Sequence, residues 1–170
     1  MGRNGSLWRL RGCAGRLTIM VIQAVAAGYP WVLQRRVLPQ HTDHAGVMWH
    51  GAYLAWLEEA RVEALAQVGL DYSDLSARGL ELPVVSLAIG YHQALLHGDR
   101  VRVESAVLPR QGVRLPWLSR FVTAAGVPAA EARVELVLVD LSAGPEQRRL
   151  LRRLPADLDA AVAALARGVG

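Results

Sequence analysis

The sequence predicts an α+β domain in which a five-stranded antiparallel sheet wraps around one long central helix. Three observations point to it. A single long run, Gly51 to Val68, is apolar and alanine-rich with helical periodicity. One strand-like run precedes it and four follow, separated by glycine-containing turns. At 170 residues, with 52% hydrophobic and 20% charged residues, the chain suits one folded domain with a real core and is short for two.

Residues 1–30 read as a leader ahead of a domain at 31–170. The apolar run Leu17–Ala27 follows basic residues and precedes small ones, the outline of a secretory signal, but it is too short to span a bilayer. Met20 offers a blander reading as the true start. The preferred expectation is a disordered or over-extended leader.

A pI of about 10.0 invites a nucleic-acid partner, and the distribution of charge argues against one. Six arginines and no acid precede Asp43, while the remaining chain is close to neutral. Cys13 is the only cysteine, which excludes an internal disulfide and a cysteine-based zinc cluster. That usage suits a reducing, cytoplasmic setting, and no membrane partner is expected.

Trp31–Pro39 reads as the first strand, β-rich and closed by proline. The helix follows, with Gly69 as its stop. At 100° per residue, Tyr53, Leu54, Leu57, Ala60, Ala64, Leu65 and Val68 form its apolar arc. Glu59 and Glu63 face away, and Glu58 and Arg61 are expected to form a buried pair. Asp71–Ala77 adds a helical turn capped by Asp71 and ended by Gly79. Strands are expected at Leu82–Gln93, Arg100–Leu108, Val113–Ala125 and Ala129–Leu141, with turns at Gly98-Asp99, Gln111-Gly112 and Gly126. The tail, Pro145–Arg167, reads as helix divided at Pro155, its arginines solvated. Such a sheet leaves an open edge, which pairing with a second copy would cover.

The chemistry concentrates in "PQHTDHAGVMWHGAYLAWLEEAR", Pro39–Arg61, which holds His41, Asp43, His44 and His50. A metal site is one reading, since "HTDHAG" resembles the H-x-H-x-D-H-x-G motif of metallo-β-lactamase-like hydrolases. The first histidine of that motif falls on Pro39, which cannot ligate, and too few further ligands follow. No metal is expected. The other reading is a catalytic carboxylate: Asp43 lies in the loop entering the helix, and the free N–H groups near His50 and Gly51 carry the positive end of the helix dipole. The plain alternative for Asp43 is a turn or cap residue.

Thr42, Asp43, Gly46, Met48, Trp49, His50, Tyr53, Glu58, Ala60 and Arg61 carry a resemblance. Their stretch, a T-D pair, a glycine three residues on, an aromatic-His pair with a tyrosine three residues after the His, and then E-x-A-R, is similar to the signature of hotdog-fold acyl-CoA thioesterases of the 4-hydroxybenzoyl-CoA thioesterase / YbgC-like family. The likeness runs from Trp31 to Leu141 and includes "RRLPADL" in the tail. It implies a hotdog fold and hydrolysis of an acyl- or aroyl-CoA thioester without a cofactor. Asp43 would be nucleophile or general base. The backbone N–H at His50 would polarise the carbonyl, and the His50 side chain would orient the carboxylate or water or stabilise the leaving thiolate. Trp49, Gly51, Tyr53 and Tyr91 would contact substrate. The resemblance further implies a homodimer or homotetramer in which the partner completes the site, with Tyr91 and His92 as candidate partner wall. A narrower expectation is 1,4-dihydroxy-2-naphthoyl-CoA hydrolysis in quinone synthesis, and a non-enzymatic one is an acyl-CoA-binding dimer. A dehydratase of the same fold would carry H-F-P-x-x-P-x-x-P-G, which is absent. Gln93-Ala94 and His41 depart from the family pattern and leave the acyl group open.

Overall fold

The computed structural model describes residues 29–144 and 146–168. Residues 1–28, on which the expected leader with its signal-like run and Met20 falls, lie outside the described residues.

Strand β1 (Trp31–Arg36) leads through a 3-10 turn, Pro39–His41, to helix α1 (His50–Gln67) and the short α2 (Tyr72–Ala77). Then come β2 (Leu80–Glu81), β3 (Val84–Tyr91), β4 (Arg100–Val107), β5 (Arg114–Thr123), β6 (Pro128–Val137), β7 (Val139–Asp140), β8 (Arg149–Leu150) and α3 (Ala156–Arg167). The main sheet has the order β1-β4-β5-β6-β3, antiparallel throughout. This is the sheet-around-helix architecture the sequence predicts, with β1 and β3 as its edges.

Helix α1 ends where Gly69 takes φ +79°, a backbone state that suits a residue without Cβ. Its buried residues are Ala52, Tyr53, Trp56, Leu57, Ala60, Arg61, Ala64 and Leu65. The expected arc is therefore displaced. Leu54 is 40% exposed and Val68 only partly buried, while Ala52 and Trp56 are inside. Pairs recurring every four residues advance about 40° per repeat on a 3.6-residue helix, so the covered face drifts around α1. The helix packs over β1 and β4, and the rings of Tyr53 and Trp56 reach Phe121 on β5 with centroids 4.9 and 6.5 Å apart.

The Glu58–Arg61 pair differs from expectation as well. Arg61 is buried and donates to the Leu57 carbonyl at 3.2 Å, but Glu58, 3.5 Å away, is exposed. Asp71 precedes α2 without a side-chain capping bond.

The tail is helical only from Ala156. Arg149–Leu150 instead pairs with β7, which pairs with β2, forming a second, three-stranded sheet. Arg149, expected to be solvated only, holds Asp140 at 2.7 Å. Pro145 lies outside the described residues. Helix α3 buries Leu158, Ala161 and Leu165 in the common core, and the Trp31 indole N–H donates to the Leu165 carbonyl at 3.0 Å. Arg78 and Asp157 add an ion pair between α2 and α3. Among the described residues, no helix is long and apolar enough to cross a membrane.

Candidate active site

The loop between β1 and α1 is fixed by its own backbone and by a carboxylate. Asp43 donates its N–H to the Val47 carbonyl at 2.9 Å, and its Oδ1 accepts the N–H groups of Ala45 (2.8 Å) and Val47 (3.2 Å). Gly46 makes the turn possible with φ +75°. Bridges from Thr42 to Met48 and from Val47 to Leu96 tie the loop to itself and to the segment after β3. Met48, buried, donates its N–H to the Leu95 carbonyl at 2.8 Å.

Asp43 is thus a turn residue, but only through one oxygen. Its Oδ2 accepts no hydrogen bond among the described residues. The side chain is exposed and stands beside an open cavity of about 690 Å³. The same cavity is lined by Trp49, His50, Tyr53 and Tyr91, so the structure brings most of the sequence-predicted site residues together. His92, Gln93 and Ala94 complete the far wall.

Helix α1 starts at this cavity. Its N-cap, Trp49, supplies no side-chain capping bond, and Ala52 N–H turns back to the Trp49 carbonyl at 3.0 Å. The N–H groups of His50 and Gly51 have no intrahelical acceptor in the first turn and no partner among the described residues. They are donors at the positive end of the helix dipole. Gly51 is absent from the cavity lining. It lies against the Trp49 indole, and a Cβ there would collide with the ring. A substrate-contacting side of Gly51 is confined to its backbone.

Tyr53 is almost fully buried and is gripped edge-on by Tyr91 (5.0 Å between centroids) and Phe121 (4.9 Å). Burial, reinforced by Tyr91, pushes its hydroxyl up to about 12. It therefore stays protonated at neutral pH, a donor at the cavity wall. The His50 ring is exposed and stands edge-on to Trp49, 5.3 Å between centroids.

Three histidines receive distinct placements. His41 accepts the Leu38 N–H through Nδ1 at 3.1 Å and stands edge-on to Trp56, 5.2 Å between centroids, turned into the packing of the loop. His44, expected to be a plain loop residue, lines the cavity. Adjacency to Asp43 was the only signal for it. His92 Nε2 lies 3.8 Å from Glu131. No group of three or more His, Cys, Asp or Glu among the described residues is arranged to hold a metal ion.

Chemically, a carboxylate oxygen and a protonated phenol at an aromatic-walled cavity, with free N–H groups at the adjoining helix start, suit attack on a carbonyl. The carboxylate supplies a base or nucleophile, and the N–H groups receive developing oxyanion charge.

The sequence profile of the thioesterase-like superfamily matches residues 37–164. A Synechocystis sp. protein provisionally named an esterase is 44% identical over 121 residues, covering 71% of this chain and 70% of that protein. The acyl-CoA thioester hydrolase YbgC of Escherichia coli is 29% identical over 105 residues, covering 62% of this chain and 78% of its own length. Among solved structures, a 1,4-dihydroxy-2-naphthoyl-CoA thioesterase from Synechocystis superposes with a TM-score of 0.70 at 25% identity, covering 79% of this chain and 96% of that one.

Proposed function

The chain belongs to the thioesterase-like superfamily and hydrolyses a CoA thioester to the free acid and CoA, and from that premise we propose that Asp43 is its nucleophile or general base. One observation carries the assignment. Oδ1 of Asp43 is held by the loop while Oδ2 is unengaged, beside the same cavity that His50 lines at the start of α1, where the N–H groups of His50 and Gly51 are free. The carbonyl oxygen of the thioester sits against those N–H groups. As water or Oδ2 attacks, charge moves onto that oxygen and is met by fixed dipoles that need no reorganisation. The leaving thiolate takes a proton from solvent or from the His50 side chain, and where Oδ2 itself attacked, water then cleaves the acyl-aspartyl anhydride to release the acid and restore the carboxylate. Trp49, Tyr53 and Tyr91 hold the acyl group.

The aromatic lining favours an aroyl substrate, and the likeness to a 1,4-dihydroxy-2-naphthoyl-CoA thioesterase makes that compound the narrower reading. Flat rings suit walls of Trp49, Tyr53 and Tyr91, whose faces and edges stack on aromatic groups.

The working unit is a dimer. Strand β3 is an edge strand with Val84, Val85, Leu87 and Tyr91 all exposed. An unpaired apolar edge of this kind is an invitation to strand pairing. Antiparallel pairing of β3 with its copy would extend the sheet and close the open side of the cavity at Tyr91. The single domain at 31–170 suffices for hydrolysis, in the cytoplasm, without cofactor or metal.

A panel of aliphatic and aromatic acyl-CoAs with a free-thiol readout tests the proposal. Thiol release, fastest with aroyl-CoA, is expected. Binding of every thioester without thiol release would overturn it.

A further inference from the structure

A second cavity, about 460 Å³, opens beside the start of β4 and is lined by Gln34, Arg35, Arg36, Arg100 and Arg102, with no carboxylate in its lining. Two of its four arginines are already committed. Arg35 Nε donates to Glu59 at 2.8 Å, and Arg102 Nε donates to Glu104 at 2.9 Å. Arg36 and Arg100 are different. They are direct cross-strand partners, β1 to β4, both exposed, and neither has an ion pair or side-chain hydrogen bond among the described residues. Like charges directly opposite on adjacent strands destabilise a sheet. An unrelieved arginine pair at the mouth of a cavity is the arrangement that a bound phosphate relieves, because each guanidinium offers a planar fork of donors.

The cluster is joined to the catalytic loop by short, pinned chain. Arg36 precedes Val37, whose N–H bonds the Asp99 carbonyl at 2.9 Å and whose carbonyl accepts the Gly98 N–H at 2.8 Å. Arg100 follows directly, at the end of the segment that begins with the cavity wall at Tyr91–Ala94. Cluster and catalytic cavity thus share one end of the sheet. The arginines on β1 and β4 lie three to four inter-strand steps from Tyr91 at the β3 wall of the cavity, roughly 14–19 Å along the sheet. A CoA thioester has this layout: its phosphates are separated from the reacting carbonyl by the long pantetheine arm.

We propose that Arg36 and Arg100 form the phosphate-binding subsite for the nucleotide end of the CoA thioester. The assignment rests on the hydrolysis proposed above for its ligand, and on the arginine geometry for its place. Recognition is ionic and bidentate, with Gln34 as an additional amide donor.

The test compares the full chain with Arg36→Gln/Arg100→Gln, using one acyl group on CoA and on N-acetylcysteamine, which has no phosphate. KM for the CoA thioester is expected to rise roughly tenfold or more, about 1.4 kcal/mol of binding per factor of ten. Turnover of the N-acetylcysteamine thioester is expected to match the unaltered protein. Added salt should raise KM for the CoA thioester in the unaltered protein and much less in the variant. An unchanged KM, or an equal loss on both thioesters, overturns the subsite. Calorimetry with adenosine 3′,5′-bisphosphate separates this proposal from the hydrolysis itself. Binding to the unaltered protein and not to the variant supports the subsite even if no thioester is cleaved, and equal binding to both overturns it.

Discussion

Asp43 and Val47 bond each other twice: the Asp43 N–H donates to the Val47 carbonyl at 2.9 Å, and the Val47 N–H donates to Asp43 Oδ1 at 3.2 Å. The residue proposed to do the chemistry therefore also shapes the loop that presents it. Charge and shape are separable by substitution. Asp43→Asn keeps an oxygen acceptor for Ala45 and Val47, so its folding stability should stay within about 0.5 kcal/mol of the unaltered protein. Asp43→Ala removes that acceptor and should cost about 1–2 kcal/mol, near the net worth of two hydrogen bonds. Urea denaturation of the two variants measures the difference.

Gly51→Ala should harm activity more than stability. Alanine favours the helix by roughly 0.8–1.0 kcal/mol over glycine, but its Cβ would drive the Trp49 indole from its place at the cavity. A lower kcat/KM and a changed tryptophan emission are expected, with Trp49→Ala restoring room for the Cβ in the double variant. Unchanged kinetics in Gly51→Ala would remove Trp49 from the substrate wall.

Arg61 and Glu58 should respond unequally. Burial holds the Arg61 guanidinium below its usual range, with exposed Glu58 only partly offsetting it. Glu58→Gln should cost less than about 0.5 kcal/mol, as for other exposed pairs. Arg61→Met, which keeps the packed stem and drops the buried charge, should be neutral or stabilising. Thermal unfolding of both variants checks this.

Tyr53 gives a pH signature. Folding raises its hydroxyl from 10.0 to about 12, so the folded state keeps a proton that the unfolded chain has released. This contribution is fully present below pH 10 and is lost as pH rises from 10 to about 12. Tyr53→Phe should lose stability less steeply across that window in pH-dependent denaturation. Tyr29 and Tyr72, also raised by burial, contribute to the slope that persists.

Two further outcomes follow, one from the exposed β3 edge and one from the expected leader. On dilution, activity per chain should fall as the proposed dimer dissociates, followed by light scattering and thiol release together. A chain beginning at Met20 should fold and hydrolyse like the full one, since the profile match begins at Val37.

Most of this architecture was legible because local signals agreed with the global fold. The glycines at 69, 79, 98, 112 and 126 all take positive φ where turns were expected. The candidate site was legible as a cluster because Asp43, His50 and Tyr53 sit on one continuous stretch and line one cavity. What was not legible depended on tertiary partners. Leu54 reads as core by periodicity, yet among the described residues no element buries it. Arg149–Leu150 has helix-like neighbours, and only pairing with Val139–Asp140 makes it strand. His44 gave no signal of its own beyond its place next to Asp43. Arg36 and Arg100 are 64 positions apart, and only the register of β1 on β4 makes them neighbours.

The most direct test is the turnover of Asp43→Asn on the best substrate from the acyl-CoA panel, with its fold verified by circular dichroism. Loss of the one charged oxygen should lower kcat at least roughly 10²-fold, about 2.7 kcal/mol at the barrier. A folded Asp43→Asn protein that releases thiol at the rate of the unaltered chain would contradict Asp43 as the catalytic carboxylate.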